Sequence, residues 1–98
     1  MLKFSNKSSL EIVDVGMDFR ALISATDTIS NPVFGVELIS GADIAPTGLL
    51  EGTTAIVGSV AYARLHAGNP GVTYKIRCEV DTGTGQHFLA EAQMAVTE

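Results

Sequence analysis

The residue types that most often carry chemistry are few in this chain. His66 and His87 are the only histidines, and Cys78 is the only cysteine. A zinc site needs three or four ligands at characteristic spacings, and these three residues are predicted to lie on different strands. Cys78 falls on the apolar side of its strand, which favours a buried small side chain over a reactive thiol. We expect both histidines to be solvated surface groups, and we expect no metal site and no cofactor.

The residues that could support hydrolysis are also poorly placed for it. A nucleophilic triad needs a serine or cysteine beside a base that a third group holds in position. The serines of residues 5–9 are accounted for by a polar turn, and the sequence has no Gly-x-Ser-x-Gly elbow. Asp14 and Asp18 have the even spacing that places two side chains on one face of a strand. Gly16 between them is expected to interrupt that strand, so both are predicted to be surface carboxylates. The sequence therefore predicts no catalytic residue and no enzyme activity.

Two further kinds of site are disfavoured by the loops. A phosphate-binding loop opens a helix and carries a lysine, whereas Gly83-Thr-Gly85 joins two strand-like segments. A calcium loop is dense in Asp and Asn, but the loops at 41–43 and 81–85 hold one carboxylate each. The sequence singles out no binding residue.

The clearest structural pattern lies near the end of the chain. From Tyr74 to Val80 every second residue is apolar, and the intervening residues are charged. From Phe88 to Val96 the apolar positions alternate again, and Gly83–Gly85 separates the two segments. Only an extended strand places alternate side chains on opposite faces. The pattern predicts a β-hairpin with one buried face and one solvated face.

The rest of the chain gives weaker strand signals, at the spacing of a sandwich or barrel. The sequence predicts further strands at 2–4, 10–15, 17–24, 29–40 and 53–67. Between them it predicts a polar break at 5–9, a hairpin turn at 25–28 and a long crossing loop at 41–52 anchored by Leu49 and Leu50. Gly35 is expected to mark either a bulge or a close approach of two backbones. Residues 60–67 also contain helix formers. Because propensity alone is a weak guide, the β-rich neighbours favour a strand there.

These segments predict an all-β fold of about seven strands. The connections are too short for helical crossovers, so the strands are expected to pair antiparallel. Two antiparallel sheets packed face to face would bury the apolar faces. The length and strand count are those of an immunoglobulin-like sandwich, without the cysteine pair and tryptophan of antibody domains. We expect residues 1–98 to form a single antiparallel β-sandwich domain of this kind.

Composition narrows the classes of partner. The chain has 98 residues and a formal net charge of −5, with no basic cluster. Nucleic acid and anionic membrane surfaces are therefore disfavoured as partners. No apolar stretch approaches the ~18 residues of a membrane span, and the first residues do not resemble a signal peptide. The 46% hydrophobic content is explained either by apolar surface that a partner or further copies cover, or by small β-strand residues.

One family resemblance emerges from the spacing of turn glycines and strand residues. It is carried by Asp18-Phe19-x-Ala-Leu22, Ile29-Ser30, Val33, Gly41, Val57-Gly58 and Gly68-x-x-Gly71-x-x-Tyr74-x-Ile76-x-x-x-Val80-x-Thr82. The pattern resembles small immunoglobulin-like proteins encoded among bacteriophage and prophage tail and head–tail genes, some of them fibre–tail adaptors. The resemblance implies a non-catalytic virion component, made in the bacterial cytoplasm, that contacts other phage structural proteins. It leaves open a homo-oligomer, joined for example through an edge strand at 2–4.

Two other functions remain as alternatives. A carbohydrate-binding or host-surface-binding sandwich would need exposed aromatic side chains, and most of the two Tyr and four Phe are predicted to be in the core. An enzyme or metal-dependent domain would need one of the sites argued against above.

Overall fold

The computed structural model describes residues 2–24 and 26–98, and its regular structure is β apart from one short 3₁₀ turn. In chain order the strands are β1 (Leu2–Lys3), β2 (Lys7–Ser8), β3 (Val13–Asp18), β4 (Ile29–Ser40), β5 (Leu50–Val57), β6 (Val60–Leu65), β7 (Thr73–Thr82) and β8 (His87–Thr97). The 3₁₀ turn, Pro46–Leu49, precedes β5. Within the described ranges there is no helix of the length and apolarity needed to cross a membrane.

The strands form two sheets that share one core. A five-stranded sheet has the order β1-β8-β7-β4, with β2 also paired to β8, and a three-stranded sheet has the order β3-β6-β5. Met17 and Leu65 from the smaller sheet lie in the same buried cluster as Tyr74 and Ile76 from the larger one. The predicted all-β sandwich is confirmed.

The hairpin predicted near the end of the chain is confirmed in detail. Strand β7 alternates between buried and half-buried residues along its whole length, and β8 buries Ala92, Met94 and Val96. Small residues of β8 face larger ones of β7, as where Ala92 pairs with Ile76. Small side chains beside large ones allow the close packing that protein interiors have.

The first two strands depart from the antiparallel prediction. Leu2 pairs with Ala92 and Lys7 pairs with Val96, and both pairings are parallel. The prediction that every strand pairs antiparallel is wrong here, because the argument from short connections applies only to strands that follow one another. β1 and β8 are separated by most of the chain, so no tight crossover is needed. β2 also lies inside the segment predicted as a polar break.

The two strands predicted at 10–15 and 17–24 are replaced by one. β3 runs uninterrupted through Gly16 and ends at Asp18. The Asp18 carboxylate accepts a hydrogen bond from the Arg20 backbone N–H, and this local bond favours a turn over further strand. The hairpin turn predicted at 25–28 begins at Ala25, which lies outside the described residues.

The segment 53–67 is a hairpin and not one strand. β5 and β6 pair antiparallel across a turn at Gly58-Ser59, where Gly58 has a φ of 61°. Glycine adopts this left-handed conformation without steric cost. The helical alternative for 60–67 is wrong as well, since β6 occupies most of it.

The bulge on β4 is also displaced from its predicted position. The register slips between Ser30 and Val33 and again between Leu38 and Ser40, and Asn31 has a φ of 51°. Gly35 pairs regularly with Arg77. Leu49, in contrast, is buried as predicted and anchors the crossing loop.

Candidate interaction surfaces

The single thiol is sealed inside the sandwich. Cys78 lies on the inner face of β7 with no exposed surface. Burial, reinforced by the nearby Glu79 carboxylate, raises the pKa of the thiol to about 12. A thiol of this kind forms very little thiolate near neutral pH, so Cys78 is a packing residue.

The two carboxylates at even spacing lie on an exposed strand face, but each has its own cation. Asp14 accepts a hydrogen bond from Arg64 Nε at 2.9 Å, which lowers the pKa of the carboxyl. Asp18 pairs with Arg20 at 3.1 Å. The prediction that Gly16 interrupts the strand is wrong: a Cβ there would lie 2.8 Å from the Tyr62 ring, so glycine leaves room for that side chain.

The outer face of the five-stranded sheet carries a network of ion pairs. Lys75 lies between Glu37 and Glu91, with Nζ–O distances of 3.2 and 3.4 Å. Arg77 reaches the same two carboxylates. Hydrogen bonding to Lys75 lowers the pKa of Glu37, and hydrogen bonding to Glu37 and Glu91 raises the pKa of Lys75. Exposed pairs contribute little to stability, but together they keep this face polar.

One histidine forms a separate group of polar contacts on the same face. His87 Nδ1 lies 2.7 Å from Asp81 Oδ1, and Nε2 lies 3.1 Å from Glu79 Oε1. The hydrogen bond to Asp81, followed by that to Glu79, raises the pKa of His87. His66, the other histidine, is half-buried at the end of β6. The 2–24 and 26–98 ranges contain no group of three or more His, Cys, Asp or Glu side chains arranged to hold a metal ion.

A tyrosine near the start of β7 joins two loops. The Tyr74 hydroxyl accepts a hydrogen bond from the Asn69 backbone N–H at 2.9 Å and donates one to the Asp43 carboxylate at 2.7 Å. Burial raises the pKa of Tyr74, while the bond to Tyr74 lowers the pKa of Asp43. The alternating pattern predicted a buried Tyr74, but nothing in the sequence named its loop partners.

A lysine that the sequence placed in a polar break is buried. Lys7 Nζ donates hydrogen bonds to the carbonyl oxygens of Ala67 and Ser8. Burial lowers the pKa of Lys7, although Glu11 acts in the opposite direction. A cleft of about 460 Å³, lined partly by Phe4, separates this segment from β3. The lysine thus anchors the N-terminal strands rather than presenting a charge to a partner.

Three of the four sheet edges are protected against pairing with another chain. β4 carries Pro32 and two register slips, which interrupt a hydrogen-bonding edge. β3 presents Asp14 and Asp18 with their arginines. The edge formed by β1 and β2 consists of two-residue strands. The edge predicted at 2–4 is therefore present, but it is short.

The fourth edge, β5, is irregular only in its first half, where its register slips between Leu50 and Thr54; from Thr54 to Val57 its pairing is regular. From Gly52 to Val57 the strand contains no charge and no proline. Ile56 is 36% exposed and Val57 is 66% exposed. A cavity of about 190 Å³, lined by Phe34 and other residues, opens between β5 and β4. Exposed, uncharged edge strands readily accept a further strand.

The sequence matches the model of a known protein family. A model of the family "Podophage GP4 fiber-tail adaptor protein gp77" matches residues 7–96, which include β2 through most of β8. A comparison with curated proteins gives no significant match. The predicted resemblance to phage tail-region proteins is confirmed at the level of the family. With the match spanning nearly the whole chain, this protein belongs to the podophage GP4 fiber-tail adaptor family and is a structural phage protein of the tail region.

Proposed function

We propose that this chain is a non-catalytic adaptor module of the virion that holds other phage structural proteins together through protein–protein contacts. The observation that carries the proposal is the family match over residues 7–96. The accessible β5 edge is consistent with a role in protein–protein contacts, because backbone groups on such an edge can bind a further strand. The net charge of −5 argues against nucleic acid as the partner.

We also propose that residues 1–98 form one immunoglobulin-like domain. The order β3-β6-β5 in one sheet and β8-β7-β4 in the other corresponds to strands B-E-D and G-F-C of that fold. Tyr74 supports this assignment, because its hydroxyl bonds to the backbone a few residues upstream, as in a tyrosine corner. A solved structure with a different strand order would contradict it.

The adaptor role is tested in phage particles. We expect quantitative mass spectrometry of purified particles to find this chain in a fixed ratio to the tail proteins. Deletion of its gene should give particles that lack a tail component, and complementation should restore that component. A chain absent from particles that are complete and infectious would contradict the proposal.

The carbohydrate- or host-surface-binding alternative has less support from the structure. Tyr74 and Phe19 are buried in the core, so neither offers the exposed ring on which a sugar stacks. Tyr62 is half-buried beside Gly16. Binding of a glycan on an array, lost on Tyr62→Ala but kept by a distant variant, would favour this alternative instead.

A further inference from the structure

We propose that β5 pairs edge to edge with β5 of a second copy of this chain, joining two three-stranded sheets into one six-stranded sheet around a two-fold axis. The four sheet edges differ in how they are protected against pairing. Proline, register slips, charge or shortness protects three of them. On β5 the register slip lies before Thr54, and the stretch from Thr53 to Val57 has no proline and no charge and exposes Ile56 and Val57.

The backbone of β5 has free hydrogen-bonding groups at alternate residues. Val57 pairs with Val60 across a two-residue turn, and Ala55 pairs with Tyr62. In a two-residue hairpin the closing pair exchanges both backbone hydrogen bonds, and such pairs alternate along the ladder. Val57 and Ala55 therefore direct their N–H and C=O groups toward β6. Thr54 and Ile56 direct theirs away from the sheet, where a further strand would lie.

The two glycines that bound this stretch fix the register. Gly52 has a φ of 112° and Gly58 a φ of 61°, so neither continues a regular extended strand. Residues 53–57 lie between them. An antiparallel pairing centred on Ala55 is the register that uses all five, with Thr54 opposite Ile56 of the second copy and Thr53 opposite Val57. A shift of the centre to Thr54 or Ile56 brings one of the glycines into the ladder.

The side chains that meet in this register suit one another. On the face toward the core, Thr54 and Ile56 form two equivalent cross-strand pairs, which cover the exposed part of Ile56. On the outer face, Thr53 meets Val57. β-Branched pairs of this kind stabilise antiparallel sheets. The contact is self-complementary, as a two-fold interface requires.

Charge favours this stretch as the place where two acidic copies meet. Each chain carries a net charge of −5, so contact through most of the surface brings carboxylates together. Residues 52–57 carry none. Glu51, the nearest carboxylate in sequence, lies 3.9 Å from Arg64 of its own chain. Five residue pairs make a small interface, so we expect a dissociation constant between about 1 µM and 1 mM.

Analytical ultracentrifugation of the purified chain over that concentration range tests the proposal. We expect a monomer–dimer equilibrium. Ala55→Lys places like charges opposite each other at the two-fold axis and should weaken the dimer at least about tenfold, and Ala55→Glu should do the same. An equimolar mixture of the two variants should restore a dimer, because each heterodimer then has a lysine opposite a glutamate.

Two further variants separate edge pairing from other causes. Thr54→Pro removes an N–H that points away from β6, so it should weaken the dimer without breaking a bond of the existing sheet. Val33→Lys places the same charge on the protected β4 edge and should leave the dimer unchanged. Circular dichroism and thermal melting show whether each variant is folded, and the paired Ala55 variants decide the test if Thr54→Pro is not.

The outcomes are distinct. A monomer at every concentration overturns the proposal, and so does a dimer that persists in both Ala55 variants. Failure of the mixed variants to restore association overturns the two-fold register. None of these results depends on the virion role, since a chain found in particles could be monomeric and a dimeric chain could be absent from them.

Discussion

At the scale of single residues, the Tyr74 hydroxyl connects segments that lie far apart in the chain. It joins the start of β7 to the backbone at Asn69 and to Asp43, which is 31 positions earlier in the chain. A buried hydroxyl with both a donor and an acceptor partner is fully satisfied. Its removal takes a hydrogen-bond partner from the Asn69 backbone N–H and from the Asp43 carboxylate.

Tyr74→Phe is therefore expected to lower the free energy of unfolding by about 1–3 kcal/mol while the fold is kept. Urea unfolding followed by fluorescence or circular dichroism measures the change. Tyr62→Phe is the matched control, because the described residues offer no hydrogen bond to that hydroxyl, and it should change stability by less than about 0.5 kcal/mol. Equal effects of the two variants would contradict the role given to Tyr74.

His87 gives a residue-scale dependence on pH. Its pKa is raised by Asp81 and then by Glu79, so the protonated ring stabilises the folded state. This contribution is complete below the ordinary histidine pKa of about 6.5 and is lost as pH rises through the higher folded pKa. An NMR titration should place the His87 midpoint above about 6.5, and Asp81→Asn should lower it. Glu51→Gln, at a distant position, should leave the midpoint unchanged, and a midpoint insensitive to Asp81→Asn would refute this account.

At the scale of elements, Lys7 adds a side-chain attachment to the backbone pairing that holds the first two strands on β8. β1 and β2 are short, and Lys7 Nζ connects this segment to the backbone of Ala67. A hydrogen bond from a charged group is stronger than a neutral one. Without it the segment is expected to open independently of the larger sheet.

Hydrogen exchange tests this local opening. In Lys7→Ala the amides of Phe4 and Ser9, which donate to β8, should exchange at least about tenfold faster. Amides in the centre of the β7–β8 hairpin should keep their protection. Lys3→Ala, which changes an exposed lysine on β1, is the control and should leave all of these rates unchanged. Uniform acceleration across the sandwich would show that Lys7 supports global rather than local stability.

The elements also show how far sequence reasoning reaches. The β7–β8 hairpin was predictable because one face is buried and the other is charged, so side-chain period and burial agree. The sequence predicts a single strand in place of β5 and β6. The reason is that β5 is exposed along nearly its whole length and has no alternation of buried and exposed residues to mark its end. The buried Lys7 was missed since its partners are backbone carbonyls, which leave no trace in side-chain types. The exposed edge of β5 could not be predicted either, because it depends on the order of the strands in the sheet, which no local sequence pattern encodes.

At the scale of the whole molecule, the net charge of −5 opposes any contact between copies. Salt screens such repulsion, with a Debye length of about 8 Å at 0.15 M and about 3 Å at 1 M. Association through the uncharged β5 edge should therefore strengthen as sodium chloride is raised from about 0.05 to 1 M. Sedimentation at several salt concentrations measures the trend. Weakening with salt would instead indicate ion pairs between the copies.

The position of β8 in the sheet has a consequence for synthesis. Among the strands described, β8 is synthesised after all the others, yet it is an interior strand, with β7 on one side and β1 and β2 on the other. Until residue 97 has emerged, the nascent chain cannot assemble the five-stranded sheet, and the apolar face of β7 has no neighbour on that side. Completion of that sheet is then a late event that waits for β8, and chaperones that cover emerging hydrophobic segments would act on this protein before that event.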